Sequence, residues 1–261
     1  MNYIEADDEL FSILQDRGPA LFATIKTTGF PETYRAMFGF CAKTNSLKTA
    51  MFDMVESNNP YAFKALFRCY CEHYLKFTYL FVRFCREKSD AVGIEYFSYC
   101  GAIEARDYVA AISMAEGLLG NSASADIEKM IAALYPRVAD LSERQLEAAS
   151  SQFKYRSILR FLSREVPGLL AKDHPFLASI VPSYAVLSSF VHGGPSADAD
   201  MKTYSKPGAL RACEDDAGLT VLMTATVLMF TAMAVSREFP AQGILAARVN
   251  EVMKRFRVPA Q

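Results

Sequence analysis

The spacing of hydrophobic residues is helical along nearly the whole chain. Between residue 60 and about residue 89, apolar side chains recur every three or four positions, so they share one face of a helix. Asn59-Pro60 supplies an N-cap followed by proline in the first helical turn. The pattern predicts one long amphipathic helix. Its apolar stripe contains Phe63, Leu66, Phe67, Tyr70, Tyr74, Phe77, Phe81 and Phe84.

Helical patterns continue on both sides, and no segment alternates apolar and polar positions in the way of a strand. The predicted fold class is all-α, a single helical bundle packed as one domain. An N-terminal helical extension covers residues 1–58, and the bundle core covers residues 59–261. The other expected helices span residues 8–15, 31–54, 91–119, 122 or 124 to 135, 142–164, 175–191, 217–236 and 243–256, with a polar loop at 193–207.

Composition and charge narrow the function classes. The 261 residues are 51% hydrophobic and 22% charged, which is typical of a folded domain with a sizeable core. With 28 Lys+Arg against 29 Asp+Glu, the net charge of −1 argues against a generic binder of nucleic acid or anionic membranes. Local basic patches remain compatible with such a neutral whole.

The expected location is the cytoplasm. The six cysteines form no C-x-x-C pair, and the acidic start of the chain lacks the basic and apolar regions of a signal peptide. Residues 217–236, twenty positions without a charge, are long enough to cross a membrane. Their four threonines and the missing aromatic belt favour a buried central helix instead.

The common catalytic and cofactor motifs are missing. The sequence has no glycine-rich phosphate or dinucleotide loop, no zinc-protease motif and no nucleophile elbow. The neighbours Cys71, Glu72 and His73 point about 100° apart in turn on a helix, so they do not converge on a metal. We therefore expect neither a metal nor a cofactor.

One candidate site lies on the long aromatic helix. Arg68 and Glu72 are four residues apart and share a helix face. If exposed, they form an ordinary surface ion pair worth about 0.3–0.5 kcal/mol. If buried, the guanidinium needs fixed partners, and its planar fork suits a phosphate or carboxylate.

A second candidate lies on the later apolar helix. Tyr184, Ser188 and His192 follow at intervals of four residues and stack along one face, and Gly193-Gly194 ends the helix. At that C-terminus the helix dipole favours the imidazolium form of His192, which suits acid–base chemistry. The alternative is structural, with Ser188 bonded to its own i−4 carbonyl and His192 capping the helix.

Together, the R-x-x-x-E helix and the Y-x-x-x-S-x-x-x-H-G-G helix end resemble a widespread family of bacterial helical proteins. That family is similar to the higher-eukaryote-and-prokaryote nucleotide-binding (HEPN) superfamily, and the resemblance covers residues 60 to 240. It implies a metal-independent ribonuclease, as in toxin–antitoxin and phage-defence systems, or a non-catalytic binding module. It also implies a homodimer, with RNA and an antitoxin or defence protein as partners.

The resemblance also implies roles for individual residues. The superfamily places an arginine a few residues before its catalytic histidine, but the positions preceding His192 hold no arginine. Arg68 would then stabilise the phosphorane charge, and His192 would act as base or acid. Glu72 would orient either group, and Tyr184 or Ser188 would bind a phosphate.

A third set of candidates is basic. Arg156, Arg160 and Arg164 recur every four residues on one predicted helix, a spacing that can bind phosphates. The same stripe is also typical of an ordinary solvated helix face. Three hypotheses therefore stand: a ribonuclease toxin, a helical module that binds RNA, a nucleotide or a protein through the same polar pocket, and a membrane protein that uses residues 217–236.

Overall fold

The structure, a computed structural model, describes residues 1–120, 127–170, 175–204 and 209–256. Within these ranges every regular element is helical, which confirms the all-α fold class. The helices are α1 (Tyr3–Ala23), α2 (Pro31–Glu56), α3 (Pro60–Glu87), α4 (Ala91–Glu95), α5 (Gly101–Leu118), α6 (Ile127–Leu134), α7 (Glu143–Ser150), α8 (Tyr155–Glu165), α9 (Pro175–His192), α10 (Pro195–Met201), α11 (Ala209–Ser236) and α12 (Gly243–Arg255).

The long helix α3 starts and ends as its sequence predicts. The side chain of Asn59 accepts a hydrogen bond from the backbone N–H of Ala62 at 3.1 Å, and Pro60 occupies the first turn. The helix stops at Lys88, whose φ of 49° is left-handed. Six of the eight residues in the predicted apolar stripe are buried, and Leu66 and Phe81 are half-buried, so α3 can pack on several neighbours.

The centre of the fold is formed by α2, α3 and α11. Residues 1–58 contribute Tyr34, Met37 and Phe40 to the same hydrophobic core as the rest of the chain. Helix α9 and helix α8 then cover further sides of α3. The site described below lies where these two helices meet α3.

Helix α11 contains the uncharged segment. Among the described residues, Leu210–Ser236 is the single stretch long and apolar enough to cross a membrane, and 61% of its most apolar window is buried within the fold. Two of its threonines donate within the helix, Thr220 to the carbonyl of Ala217 and Thr226 to that of Leu222, both at 2.8 Å. The other two contact side chains of neighbouring helices: Thr224 Oγ1 lies 2.7 Å from the Tyr70 hydroxyl, and Thr231 Oγ1 lies 3.3 Å from Cys41 Sγ. A partly buried apolar helix of this kind also occurs at the centre of helical domains.

The first helix is longer than predicted, since α1 covers Tyr3–Ala23 rather than residues 8–15. A reciprocal capping box starts it: Asn2 accepts from the backbone of Glu5, and Glu5 accepts from the backbone of Asn2, both at 2.9 Å. The helix also continues through Gly18 and Pro19, a pair that in isolation indicates a helix end.

The predicted single helix over residues 142–164 is wrong. A capping box at Ser142 does open α7, but the chain leaves the helix at Ser151–Lys154 before α8 begins. The reason is tertiary: the Phe153 ring packs edge-on against Tyr79 and Tyr96, while Gln152 bonds to neighbouring side chains. Those contacts outweigh the local helical preference.

Two other predictions need correction. The expected helix 91–119 is interrupted by a π-helical turn, Tyr96–Cys100, between α4 and α5. The expected loop 193–207 contains the helix α10, which starts at a proline. The two alternative starts of the expected helix that ends at residue 135, Ser122 and Ser124, lie outside the described residues.

Candidate functional site

The guanidinium of Arg68 lies between α3 and α9 and is bound on three sides. It donates to Glu72 Oε2 at 2.7 Å, to Ser188 Oγ at 3.2 Å and to the hydroxyl of Tyr184. Its side chain is only 13% exposed. The structure thus brings together four of the predicted site residues. Arg68 is buried, so the pair of Arg68 and Glu72 follows the buried alternative rather than the exposed one.

Arg68 is also part of an aromatic stack. Its Cζ lies 3.5 Å from the centre of the Tyr184 ring. Tyr155 of α8 stacks on Tyr184 with ring centres 3.7 Å apart and planes inclined by 8°. Two groups this close to one ring must occupy its opposite faces, so Tyr184 is sandwiched between the cation and Tyr155. The stack joins α3, α9 and α8.

The remaining bonds lock this arrangement. The Tyr155 hydroxyl donates to the carbonyl of Val181 at 2.9 Å, and Ser188 donates to the carbonyl of Tyr184 at 2.9 Å. The second bond is the i−4 back-bond of the structural interpretation, made while the same oxygen accepts from Arg68. Burial, followed by the nearby Glu72 carboxylate, raises the pKa of Tyr184, which keeps the phenol neutral.

Glu72 carries the only negative charge that the described residues place in direct contact with Arg68. Its other oxygen accepts from Lys76 Nζ at 2.8 Å. Burial raises the pKa of Glu72, but the hydrogen bonds from Lys76 and Arg68 outweigh it and lower the pKa to about 2. The cluster therefore holds two cations and one carboxylate at neutral pH. Lys76 was missed in the sequence, although its i+4 spacing from Glu72 is visible there.

His192 lies outside this network. It is the last residue of α9 and is exposed, and no hydrogen bond or ion pair joins it to another described residue. The carbonyl of Phe190 accepts from the Tyr61 hydroxyl at 2.9 Å, so the end of α9 lies beside the first turn of α3. Arg68 is seven residues farther along α3, about 10 Å along the helix axis.

The glycines after His192 have a structural explanation. Gly193 adopts a φ of +63°, and the N–H of Gly194 donates to the carbonyl of Ser189 at 2.8 Å. This is the six-to-one bond of a Schellman helix end. A Cβ at Gly194 would also lie 2.7 Å from Ser189 Oγ. The Gly-Gly pair thus ends α9 as predicted and requires no ligand.

The basic stripe lies on the outer face of α8. Arg156, Arg160 and Arg164 are exposed, and Ile158 and Leu162 are buried on the opposite side of the helix. Arg164 pairs with Glu165 at 2.6 Å. Arg156 and Arg160 form no ion pair with a carboxylate in the described part of the chain.

A second arginine cluster on α3 escaped the sequence analysis. Arg83 donates to Glu87 Oε1 at 2.6 Å, to Glu95 Oε2 at 2.6 Å and to Gln152 Oε1 at 2.9 Å. Burial alone lowers the pKa of Arg83, but the hydrogen bonds to Glu87 and Glu95 outweigh it and raise the pKa. A visible signal existed, because Arg83 and Glu87 repeat the R-x-x-x-E spacing of Arg68 and Glu72.

Metal chemistry finds no support among the described residues, where no group of three or more histidine, cysteine or acidic side chains is arranged to hold an ion. The imidazole Nδ1 of His73 instead donates to the carbonyl of Cys69 at 2.7 Å. All six cysteines are free thiols.

Comparison with known proteins adds no assignment. No family model matches the chain, and no curated protein or solved structure matches it. The class established by fold and site is therefore an all-α domain with a buried arginine–tyrosine stack beside an exposed basic helix.

Proposed function

We propose that the chain is a HEPN-like, non-catalytic helical module that binds RNA through the exposed arginines of α8. The single observation that carries this proposal is that Arg156 and Arg160 are exposed one turn apart without a carboxylate partner among the described residues. Exposed guanidinium groups bind phosphates through two parallel hydrogen bonds. Such contacts to the phosphate backbone do not depend on the base sequence of the RNA.

The charge around α8 supports a polyanionic ligand. Residues 148–164 contain Lys154, Arg156, Arg160 and Arg164 but no acidic residue, in a chain whose net charge is −1. All four of these cations are exposed. The outward face of α8 carries serine rather than large apolar residues between the arginines. Such a face suits a phosphate backbone better than an apolar protein interface.

In this proposal Arg68 is a positioning residue. Each of its three guanidinium nitrogens already donates a hydrogen bond, to Ser188, Glu72 or Tyr184. Its stack with Tyr184 and Tyr155 fixes the start of α8. The cluster thereby holds the basic helix against α3 and α9. The excess positive charge of Arg68 and Lys76 over Glu72 adds to the attraction of an anion at longer range.

We do not propose cleavage as the primary activity. The ribonuclease mechanism implied by the HEPN resemblance needs the His192 imidazole and the Arg68 guanidinium at one phosphate. The end of α9 lies beside the first turn of α3, and the Arg68 guanidinium pairs with Glu72 about two turns farther along α3. The experiment below distinguishes RNA binding from the RNA cleavage that the ribonuclease hypothesis predicts.

Fluorescence anisotropy with a labelled single-stranded RNA of about 15 nucleotides tests the proposal. Arg156→Gln/Arg160→Gln should weaken binding by about tenfold. The matched control is Arg17→Gln/Arg248→Gln, which removes the same charge from a site where both arginines pair with Asp16. This control should change the affinity less than about twofold.

Two results would overturn the proposal. Equal weakening by both double variants would mean that net charge alone drives binding, and absence of saturable binding would remove the RNA ligand. Discrete cleavage of the RNA in the presence of a chelator, abolished by His192→Ala, would replace the binding module by the ribonuclease.

A further inference from the structure

The outward face of α5 is apolar and is left uncovered by the described part of the chain. Ala102 is the one buried residue of this helix, and Val109 and Ser113, which share its face, are half-buried. Residues 108–119 contain a single charge, Glu116, which lies on this half-buried side. The opposite side carries large apolar side chains that are 43% to 85% exposed: Tyr108, Ile112, Met114, Leu118 and Leu119.

This outward face is large enough to be one half of a protein interface. Ala111 and Ala115 lie between the large side chains and are also exposed, so the apolar strip is continuous and about 160° wide around the helix. The five large residues alone expose about 700 Å², more than the largest apolar patch of a typical monomer. A standard interface covers about 800 Å² on each partner. The next six residues, 121–126, contain no large apolar side chain that could cover this area.

The order of residues on the outward face complements a second copy of the same face. If two α5 helices cross antiparallel about a two-fold axis at residue 113, position 111 of one copy faces position 115 of the other, and position 108 faces position 118. The central pair is then alanine against alanine, which lets the two helices approach closely. The outer pairs are tyrosine against leucine, and by symmetry each pair occurs twice.

The charges at the edge of the face favour the antiparallel arrangement. Asp107 is exposed at the start of the apolar strip. Parallel helices would bring the two Asp107 carboxylates together, whereas antiparallel helices separate them by about 18 Å along the axis. That separation exceeds the Debye length of about 8 Å at physiological salt. The carboxylates of Glu104 and Asp107 also disfavour an anionic membrane as the occupant of this face.

We propose that the outward face of α5 is the interface of a homodimer in which the α5 helices of two copies pack antiparallel. Burial of the five large apolar side chains of each copy stabilises the dimer. The interface and the arginines of α8 lie on different helices, so the dimer neither requires nor prevents the proposed RNA binding.

Sedimentation velocity of the full chain between about 1 and 100 µM tests the proposal. Wild type should shift from the mass of one chain to that of two within this range. Leu118→Glu should weaken dimerisation by about tenfold or more, because each copy would bury a carboxylate among apolar side chains. Leu118 is 85% exposed in the single chain, so the variant should keep its helical circular dichroism. The matched control Ile4→Glu, at an exposed apolar position of α1, should change the dissociation constant by less than about twofold.

A charge pair tests the antiparallel arrangement. Tyr108→Lys alone should also weaken the dimer, because the ammonium group would be buried against an apolar partner. The double variant Tyr108→Lys/Leu118→Glu should dimerise more tightly than Leu118→Glu, since each lysine then faces the glutamate of the other copy. Within one chain the two positions are about 15 Å apart along α5, too far to form the pair internally.

Wild type that stays monomeric at about 100 µM would overturn the proposal and leave the outward face of α5 to a different protein partner. A dimer that responds equally to Leu118→Glu and Ile4→Glu would place the contact elsewhere on the chain. A double variant that dimerises no more tightly than Leu118→Glu would contradict the antiparallel arrangement.

Discussion

Helix α3 carries two arginines in the same R-x-x-x-E spacing, and the structure uses them differently. Arg83 contacts two carboxylates, those of Glu87 and Glu95, in a pocket where its side chain is 11% exposed. Arg68, nearly as buried at 13%, contacts one carboxylate, and that carboxylate is shared with Lys76. Its other partners, Tyr184 and Ser188, are neutral.

The difference teaches that an i,i+4 pair does not define its own role. Around Arg83 the negative charges exceed the positive charge. Its hydrogen bonds to Glu95 and Gln152 hold α3, α4 and the turn before α8 together, and we call this cluster a structural joint. Around Arg68 the positive charges exceed the negative one, and the joint to α8 is made by a tyrosine stack. The second cluster contacts Tyr155 at the start of α8, the helix that carries the proposed RNA surface.

The largest expected effect is at Arg83. Arg83→Met should lower the free energy of unfolding by about 3–5 kcal/mol, because it leaves Glu87 and Glu95 without their shared cation. Urea denaturation measures the loss. Adding Glu95→Gln to the same chain should recover part of it. A loss below about 1 kcal/mol would show that the network is not a structural joint.

A smaller loss is expected at Arg68. Arg68→Met should lower the free energy of unfolding by about 2 kcal/mol in the same urea experiment. The loss is smaller because Glu72 keeps its bond to Lys76, and because the stacked Tyr155 and Tyr184 carry no charge that would be left unpaired. The exposed Arg144 on α7 provides the control, and Arg144→Met should cost less than about 0.5 kcal/mol. Equal losses at Arg68 and Arg83 would remove the distinction between the two clusters.

The carboxylate of Asp216 on α11 shows the opposite situation, because it has no guanidinium partner among the described residues. Burial raises its pKa from 3.8 to about 6, against the attraction of Lys64, and Asp215 adds to the rise. Because the folded pKa lies above the unfolded one, this group's stabilising contribution is present below pH 4 and is lost as the pH rises through about 6.

Asp216→Asn should therefore stabilise the fold by about 1–2 kcal/mol near pH 8 and have little effect near pH 4. Urea titrations of wild type and variant at the two pH values measure the difference. The exposed Asp107 provides the control, because Asp107→Asn makes the same substitution on the surface and should change the free energy of unfolding by less than about 0.5 kcal/mol. Stabilisation that is equal at both pH values would contradict a raised pKa.

Much of the fold was predictable from local pattern. The start of α3 follows from Asn59-Pro60, and its buried face follows from aromatic spacing. The end of α9 follows from Gly193-Gly194. In each case the signal lies within a few residues of the element it controls, and nothing distant opposes it.

Elements controlled by distant partners were not predictable. The break at Ser151–Lys154 depends on Phe153 packing against Tyr79, more than seventy positions earlier in the chain. The π-helical turn at Tyr96–Cys100 likewise has no local motif in the sequence. In both regions tertiary packing overrides a helical preference that continues through the segment.

The site was predictable in the same partial way. Arg68, Tyr184 and Ser188 were identified from helix spacing, and they meet. His192 shares their face by sequence, but each helical turn moves it farther along α9 and away from Arg68. Tyr155 was not predictable, since stacking depends on how α8 crosses α9 and leaves no spacing pattern.

The most direct test of the central claim is the salt dependence of RNA binding. Each phosphate contact on a single strand adds about 0.7 to the slope of log affinity against log salt concentration. Arg156→Gln/Arg160→Gln should therefore reduce the slope by about 1.4, whereas Arg17→Gln/Arg248→Gln and Arg68→Met should leave it near the wild-type value. An unchanged slope in the α8 variant would contradict the assignment of α8 as the phosphate-binding surface.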